Sequence, residues 1–202
     1  NELKVLFDRI GIDVWEVIDA ARTKPFGFMP FYPGPGLGGH CIPIDPFYLS
    51  WKARQSGFEA RFIELAGQVN SSMPEWVVTR IADALNSVKK AVNGSRVHVY
   101  GVAYKKNVGD MRESPALDVI EHLIRRGAIV TYSDPFVPSF KSDGHSFTAI
   151  GTAEALAGKP DCIVITTDHD VFDYKELVEK APLIMDARNA LRSFAGKHIH
   201  RL

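Results

Sequence analysis

The residues best suited to covalent chemistry are a cysteine and an aspartate four positions apart, Cys41 and Asp45. They lie in residues 31–49, which read FYPGPGLGGHCIPIDPFYL and hold four prolines and four glycines. Proline lacks the backbone donor, and glycine lacks the side chain, that helices and central strands use, so we predict a shaped loop. Asp45 and Pro46 then predict a helix start with Asp45 as the N-cap.

Cys41 is therefore placed just before a helix N-terminus, where backbone N–H groups and the helix dipole favour a thiolate over a thiol. That setting predicts a nucleophile. The alternative is a small buried hydrophobic residue, as isolated cysteines often are. The flanking glycines favour the nucleophile, because they let a ligand approach the backbone closely. A role as a helix cap would by itself explain Asp45. His40 should point away from Cys41, because adjacent residues in an extended chain point to opposite sides.

The composition excludes several classes of protein. The 202 residues carry 24 basic and 24 acidic side chains, so we expect no nucleic-acid partner and no membrane partner. No apolar run could span a bilayer, nothing at the start resembles a signal peptide, and no metal-ligand spacing stands out. With only two cysteines, one of them in the apolar DCIVITT, we expect no disulfide framework and a cytoplasmic location.

Helices are predicted over most of residues 1–94. Apolar residues at helical spacing predict one helix over 3–10, and Asp13 caps a second. Residues 59–92 predict a long helical stretch, in which Pro74 marks either a break between two helices or a kink in one. Asn93 and Gly94 predict its end.

From residue 95 onwards, strands alternate with helices. The predicted strands are VHVYGVAY, AIVTYSD, DCIVITT and PLIMDA. This alternation predicts an α/β fold with a parallel sheet and right-handed crossovers. Ligands of such sheets bind at the carboxyl ends of the strands. The loop YKKNVGDMRESP after the first strand is basic and precedes a helix N-terminus, so it predicts phosphate binding.

Two blocks, GLGGHCIPIDPFYLSWKAR and the KKNVGDMRESP loop, resemble signatures of the UDP-glucose/GDP-mannose dehydrogenase family. The resemblance is greatest to its UDP-N-acetylhexosamine 6-dehydrogenase branch, because many UDP-glucose enzymes have lysine where this chain has Ile44. It implies oxidation of the C6 alcohol of a UDP-N-acetylhexosamine, with UDP-GlcNAc as our first expectation, to the carboxylate with two NAD. Cys41 is implied to form a thiohemiacetal and then a thioester, while Asp45 assists the water or proton steps.

The resemblance also implies a domain organisation. Residues 1–94 would be a helical central region for substrate binding and dimerisation, and residues 95–202 a Rossmann-like UDP-binding domain. The long connecting helix is implied to form much of a homodimer interface. In the family an NAD-binding domain precedes these parts, so we expect the chain to belong to a longer enzyme and to be inactive alone. The glycines at 34–39 are not a dinucleotide fingerprint, because no strand precedes them.

Further site residues follow from the resemblance. Substrate contacts are implied for Lys24, Tyr32, Gly36, Gly38, Tyr104, Lys105 and Arg188. Lys24 could equally be an ordinary solvated charge. Arg112 is implied to reach the NAD, and Asp110 and Glu113 are expected to hold the basic groups in place.

Other functions stay open at this point. Within the family, a UDP-glucose or GDP-mannose 6-dehydrogenase would fit the same motifs. A non-catalytic nucleotide-binding or oligomerisation module would use the basic loop and the long helix without needing Cys41. A cysteine hydrolase would need a histidine base close to Cys41 in space.

Overall fold

A five-stranded parallel sheet forms the C-terminal half of the computed structural model, which describes residues 1–202. Its strands are β1 (Arg96–Tyr100), β2 (Ile129–Ser133), β5 (Cys162–Ile165), β6 (Ile184–Asp186) and β7 (Ile199–Arg201). A separate antiparallel hairpin consists of β3 (Ser139–Ser142) and β4 (His145–Thr148). The helices are α1 (Glu2–Ile10), α2 (Val14–Ala21), α3 (Asp45–Gln55), α4 (Arg61–Ser87), α5 (Pro115–Arg125), α6 (Thr152–Ala157) and α7 (Tyr174–Lys180).

The strands lie in the order β2-β1-β5-β6-β7, and each neighbouring pair is parallel. The chain leaves β1 towards β2 on one side and later returns to place β5 on the other side. This reversal of winding creates a crevice at the carboxyl ends of β1 and β5. The predicted α/β class with a Rossmann-like sheet is confirmed.

Alternate residues of the strands enter two separate cores, one on each face of the sheet. Val97, Val99 and Val164 belong to the larger core, which also contains the buried residues of α4 and α5. Tyr100 and Ile163 belong to the smaller core, together with Leu177 of α7. Helices therefore cover both faces, which explains why the strands read as almost continuous apolar runs.

The N-terminal helices follow the sequence signals closely. The Asp13 carboxylate accepts a hydrogen bond from the Trp15 amide at 2.8 Å, as expected of a cap for α2. Gly11 ends α1 in a left-handed conformation with φ of 72°. Both predicted helices are confirmed.

The long helix α4 is a single helix of 27 residues with Pro74 inside it. It ends at Ser87, so the prediction that Asn93 and Gly94 terminate it is wrong; the chain turns at Lys89, where φ is 61°. From Met73 onwards most of its apolar side chains are buried in the larger core, against α5. That part of α4 therefore has little apolar surface left for a second protein.

Three strands were not predicted, the two strands of the β3–β4 hairpin and β7. The hairpin strands are short and polar, but Asp143 and Gly144 at their turn both have positive φ, 46° and 77°. An Asp-Gly pair between two strands is the signal for such a turn. β7 is three residues long and pairs only with β6 at the edge of the sheet, so it has little sequence pattern of its own.

None of the helices combines the length and the apolar character that crossing a bilayer needs.

Candidate functional site

Cys41 is exposed at the end of the glycine-rich segment, four residues before α3 begins at Asp45. Its carbonyl oxygen accepts hydrogen bonds from the Ile44 amide at 3.1 Å and the Asp45 amide at 2.8 Å. Helix α3 begins at Asp45 and Ile44 is its N-cap, so the prediction of Asp45 as the cap is wrong. Because the Asp45 side chain caps no backbone amide, this exposed carboxylate is available for other contacts.

The glycines beside Cys41 let the cysteine loop pack against the loop after β1. A Cβ atom at Gly38 would lie 2.6 Å from the Tyr104 Cβ and 2.8 Å from the Glu113 carbonyl oxygen. The Gly39 amide donates a hydrogen bond to the Arg112 carbonyl oxygen at 2.9 Å. These glycines are therefore needed for the contact between two protein loops, and this contact places Cys41 beside the basic loop.

The start of the same segment is held by Asn1. The Asn1 side chain accepts a hydrogen bond from the Gly34 amide at 3.0 Å and donates one to the Asn70 side chain at 2.6 Å. A Cβ atom at Gly34 would lie 2.7 Å from Nη1 of Arg188. The glycine segment thus contacts Arg188 at one end, through Gly34, and Arg112 at the other, through Gly39.

The basic loop has its own internal ion pair. The Arg112 guanidinium contacts the Asp110 carboxylate through two nitrogens, with Nε 3.0 Å from Oδ1 and Nη2 2.6 Å from Oδ2. This pair lowers the pKa of Asp110 to about 2 and raises the pKa of Arg112. Tyr104 and Cys41 raise the pKa of Arg112 further, by smaller amounts. Asp110 holds Arg112 as predicted, whereas Glu113 makes no ion pair and the expectation for it is wrong.

Tyr104 and Lys105 lie at the start of the basic loop. Nζ of Lys105 is 5.5 Å from the centroid of the Tyr104 ring, a cation–π distance. The Tyr104 amide donates to the Asp110 carbonyl oxygen at 2.9 Å, which closes the loop on itself. The exposed ammonium of Lys105 is therefore held above an aromatic face next to the cysteine loop.

A cleft of about 550 Å³ lies at the carboxyl edge of the sheet, between the N-terminal helices and the loops after β1, β5 and β6. The Trp15 and Tyr32 rings stack on one wall, with centroids 5.6 Å apart and planes 14° apart. The cleft also presents four basic side chains, namely those of Arg22, Lys106, Arg188 and Arg192. The first three pair with aspartates of the same cleft, Asp19, Asp170 and Asp168. An aromatic wall facing several cations suits a planar base attached to phosphates.

Arg188 is oriented by two aspartates. Asp186 is fully buried, and its carboxylate accepts hydrogen bonds from the backbone amides of Arg188, Ala190 and Leu191 at 2.8–3.1 Å. Burial raises the pKa of Asp186, although these hydrogen bonds act in the opposite direction. The Asp168 carboxylate lies 3.3 Å from Nε of Arg188 and fixes the guanidinium in the cleft.

The structure brings the predicted site residues together in two groups. Tyr104, Lys105 and Arg112 belong to the basic loop that packs against the glycines preceding Cys41, and Tyr32 and Arg188 line the cleft. Lys24 is exposed, lies outside the cleft and makes no ion pair. Gly36, with φ of 140°, packs against Pro115, so Gly36 and Gly38 both contact protein in the direction in which a side chain would point.

Several cleft residues were not predicted. No site role was predicted for Trp15, and its alignment on Tyr32 depends on a hydrogen bond from its Nε1 to the Leu202 carbonyl oxygen at 2.8 Å. Arg22 and Asp168 belong to unremarkable charged stretches. No local pattern marks such residues, because segments far apart in sequence form the cleft.

No group of three or more His, Cys, Asp or Glu side chains is arranged to hold a metal ion.

Comparison with known proteins assigns the two halves of the chain to one family. The model of the central domain of the UDP-glucose/GDP-mannose dehydrogenase family matches residues 1–72. The model of the UDP binding domain of the same family matches residues 98–193. Together they cover more than three quarters of the chain.

Individual relatives agree with this assignment. The UDP-N-acetyl-D-mannosamine dehydrogenase of Methanococcus maripaludis is 35% identical over 199 residues, which are 95% of this chain and 44% of that protein. The UDP-N-acetyl-D-glucosamine 6-dehydrogenase of Pseudomonas aeruginosa is 36% identical over 174 residues, 85% of this chain and 40% of that protein. The solved UDP-D-ManNAc dehydrogenase of Pyrococcus horikoshii matches with a TM-score of 0.84 and 27% identity, over 99% of this chain and 46% of that chain.

The chain spans less than half the length of these relatives. The similarity to the relatives in Methanococcus and Pyrococcus extends over the cysteine loop, α4 and the parallel sheet. The chain belongs to the UDP-glucose/GDP-mannose dehydrogenase family.

Proposed function

We propose that residues 1–202 supply the nucleophile and the nucleotide-binding surface of an NAD-dependent UDP-N-acetylhexosamine 6-dehydrogenase. One observation carries this proposal: a single glycine segment joins an exposed cysteine, beside Arg112, to a cationic and aromatic cleft, beside Arg188. A substrate with a nucleotide at one end and a reactive carbon at the other fits this arrangement.

The cleft would bind the nucleotide. The Trp15 and Tyr32 wall offers an apolar surface to a pyrimidine ring, and Arg22 and Arg188 offer hydrogen-bond donors to the diphosphate. Since Asp168 fixes Arg188, the guanidinium needs little reorganisation when an anion binds. The sugar would then extend along the glycine segment towards Cys41.

Cys41 would carry the oxidation beyond the aldehyde. The C6 alcohol first loses a hydride and a proton to become an aldehyde. The Cys41 sulfur adds to the aldehyde carbon, the carbonyl oxygen takes up a proton, and a thiohemiacetal forms. Loss of a second hydride and a proton gives a thioester. Water then cleaves the C–S bond, which yields the sugar carboxylate and returns the thiol.

Arg112 is the residue of this chain that would hold NAD, since its exposed guanidinium lies beside Cys41 and suits a phosphate or amide oxygen. NAD, when bound, accepts the hydride in each oxidation. The acidic residue that follows β2, Asp134, is not free to bind a ribose of NAD. It is buried, and its carboxylate already accepts hydrogen bonds from three backbone amides and from His169. The remaining contacts to NAD would come from outside residues 1–202.

Asp45 would act on the water that cleaves the thioester. Its carboxylate is exposed, caps no helix amide and belongs to the turn that begins at Cys41. A carboxylate in that position can accept a proton from the attacking water and release it to solvent.

A homodimer is the assembly that the exposed surface favours. Of the 23 large apolar side chains that are exposed, 19 lie in residues 1–65. On α1, Leu3, Leu6 and Ile10 form an outward apolar face while Lys4 is buried. The interface would thus centre on α1 and the first turns of α4, not on the whole of α4, most of whose apolar face is already covered. Sedimentation of Leu6→Glu should show dissociation, whereas Ile129→Glu on β2 should leave a dimer.

The reaction can be tested by NADH formation. The complete gene product that contains residues 1–202 would be assayed in parallel with UDP-GlcNAc, UDP-ManNAc, UDP-GalNAc and UDP-glucose. An N-acetylhexosamine substrate should give two NADH per sugar consumed, and UDP-glucose should react far more slowly. If no UDP-sugar reduces NAD although UDP binds, a non-catalytic nucleotide-binding module is the better description.

A further inference from the structure

Side chains from both neighbours of β1 hold the loop that leaves that strand, residues 101–114. Asp134 follows β2, and its Oδ2 atom accepts hydrogen bonds from the first two amides after Gly101, at 2.7 and 3.1 Å. His169 follows β5, and its Nδ1 atom accepts a hydrogen bond from the Asn107 amide at 2.9 Å. The loop contains no helix or strand of its own, so these bonds fix its course.

Asp134 and His169 are also bonded to each other. Nε2 of His169 lies 3.0 Å from Oδ2 of Asp134, and both side chains are fully buried. Because Nδ1 accepts the Asn107 N–H, it carries no proton, and the imidazole proton lies on Nε2 facing the carboxylate. Asp134, His169 and the Asn107 amide thus form one continuous chain of hydrogen bonds.

His169 also stands between two carboxylates that orient cations of the cleft. Asp168 is half-buried and contacts Nε of Arg188 at 3.3 Å. Asp170 is exposed and contacts Nζ of Lys106 at 3.0 Å. With the buried imidazole fixed inward, its two neighbours are held in the cleft. Asp170 and Asn107 are bonded to each other twice, at 2.6 and 3.1 Å, which joins the two loops again.

We propose that His169 is a positioning residue for nucleotide-sugar binding. It touches no part of the cleft, but it fixes the basic loop through Asn107 and the cationic groups through Asp168 and Asp170. This inference rests on the proposed function, because the nucleotide-sugar is the ligand that those groups would bind. It goes beyond that function by assigning a role to a buried Asp134–His169 pair that the chemistry does not use.

Replacing His169 by asparagine or by glutamine tests the two hydrogen bonds of its imidazole separately. In His169→Asn the side-chain oxygen can occupy the position of Nδ1 and keep the acceptor for the Asn107 amide. In His169→Gln the side-chain nitrogen can reach the position of Nε2, which keeps the donor to Asp134 but removes the acceptor for the loop. Leu177→Ala, which removes buried volume from α7, serves as a control for general loss of stability.

The three variants would be compared in the complete gene product by UDP affinity, KM and kcat for the UDP-sugar, and melting temperature. We expect His169→Gln to weaken UDP binding and raise KM by about 10-fold, with a much smaller change in kcat. His169→Asn should keep most of the affinity. Leu177→Ala should lower the melting temperature without raising KM. A His169→Gln protein that melts earlier but keeps the original KM and UDP affinity would show that His169 is only structural.

Hydrogen exchange of the Asn107 amide tests the same idea without a ligand. Protection should fall in His169→Gln and persist in His169→Asn. If the unaltered protein does not bind UDP, the proposed function fails, yet this exchange measurement still tests whether His169 holds the loop. Retained Asn107 protection in His169→Gln would overturn the inference whatever the ligand.

Discussion

The Gly39 amide lies 2.9 Å from the Arg112 carbonyl oxygen and donates a hydrogen bond to it. This bond joins the cysteine loop of the N-terminal region to the basic loop of the parallel sheet. Residues more than 70 positions apart in sequence thereby form one surface around Cys41, and the close approach depends on glycine.

Gly38→Ala tests that close approach. The added methyl group would meet the Tyr104 Cβ at 2.6 Å and the Glu113 carbonyl oxygen at 2.8 Å, so the two loops must separate. We expect a loss of about 1–3 kcal/mol in the free energy of unfolding, measured by urea denaturation, together with reduced activity. Gly151→Ala is the matched control, because a Cβ there meets nothing within 4 Å. Equal stability of the two variants would contradict the packing argument.

Arg188→Ala tests the nucleotide cleft. Removing the guanidinium leaves Asp168 unpaired and takes a charged donor away from the diphosphate, so UDP binding should weaken about 10- to 100-fold by titration calorimetry. Arg125→Ala, on the exposed surface of α5, should leave the affinity unchanged. Unaltered UDP binding by the Arg188 variant would place the nucleotide elsewhere.

The ion pair of the basic loop predicts a pH dependence. Hydrogen bonds from Arg112 lower the pKa of Asp110 to about 2, from an ordinary value of 3.8. A lowered pKa in the folded state means that the pair stabilises the fold above pH 3.8 and that this stabilisation is lost as the pH falls towards 2. An NMR titration of the Asp110 carboxyl carbon should give a midpoint near 2, rising towards 3.8 in Arg112→Gln. An unchanged midpoint in that variant would show that Arg112 is not the cause.

The two cysteines should differ in reactivity. Cys41 is exposed, whereas Cys162 is fully buried in β5, where burial raises the pKa of its thiol to about 12. Iodoacetamide should therefore alkylate one cysteine in the native protein and both in urea, as judged by mass spectrometry. Peptide mapping should place the native modification on Cys41. Modification of Cys162 under native conditions would be inconsistent with its burial.

Local signals predicted much of the fold. Asp13 caps α2 through its side chain, and the apolar runs around Val97 and Ile163 became central strands because both faces of the sheet are covered. The prediction for α3 was one residue late, because the helix begins at Asp45 itself, directly after a turn that starts at Cys41, and residue spacing does not show where such a turn becomes a helix. The missed hairpin did carry an Asp-Gly turn signal, but its strands are too polar to stand out.

The site was less predictable than the fold. Motif residues such as Cys41 and Arg112 could be selected from the sequence, but their proximity depends on glycines that admit Tyr104 and Glu113. The Trp15 wall of the cleft depends on a hydrogen bond to the Leu202 carbonyl oxygen, 187 positions away in sequence. Interactions across such sequence distances leave no periodic pattern in a single sequence.

The most direct test of the account is the NADH yield of Cys41→Ser compared with Cys162→Ala, in the complete gene product with a limiting UDP-N-acetylhexosamine. The serine variant lacks the sulfur that forms the thioester, so it should stall before the second oxidation. The Cys162 variant, altered at the buried cysteine, should still give two NADH per sugar. A Cys41→Ser enzyme that forms two NADH per sugar at the rate of the unaltered enzyme would contradict the assignment of Cys41 as the nucleophile.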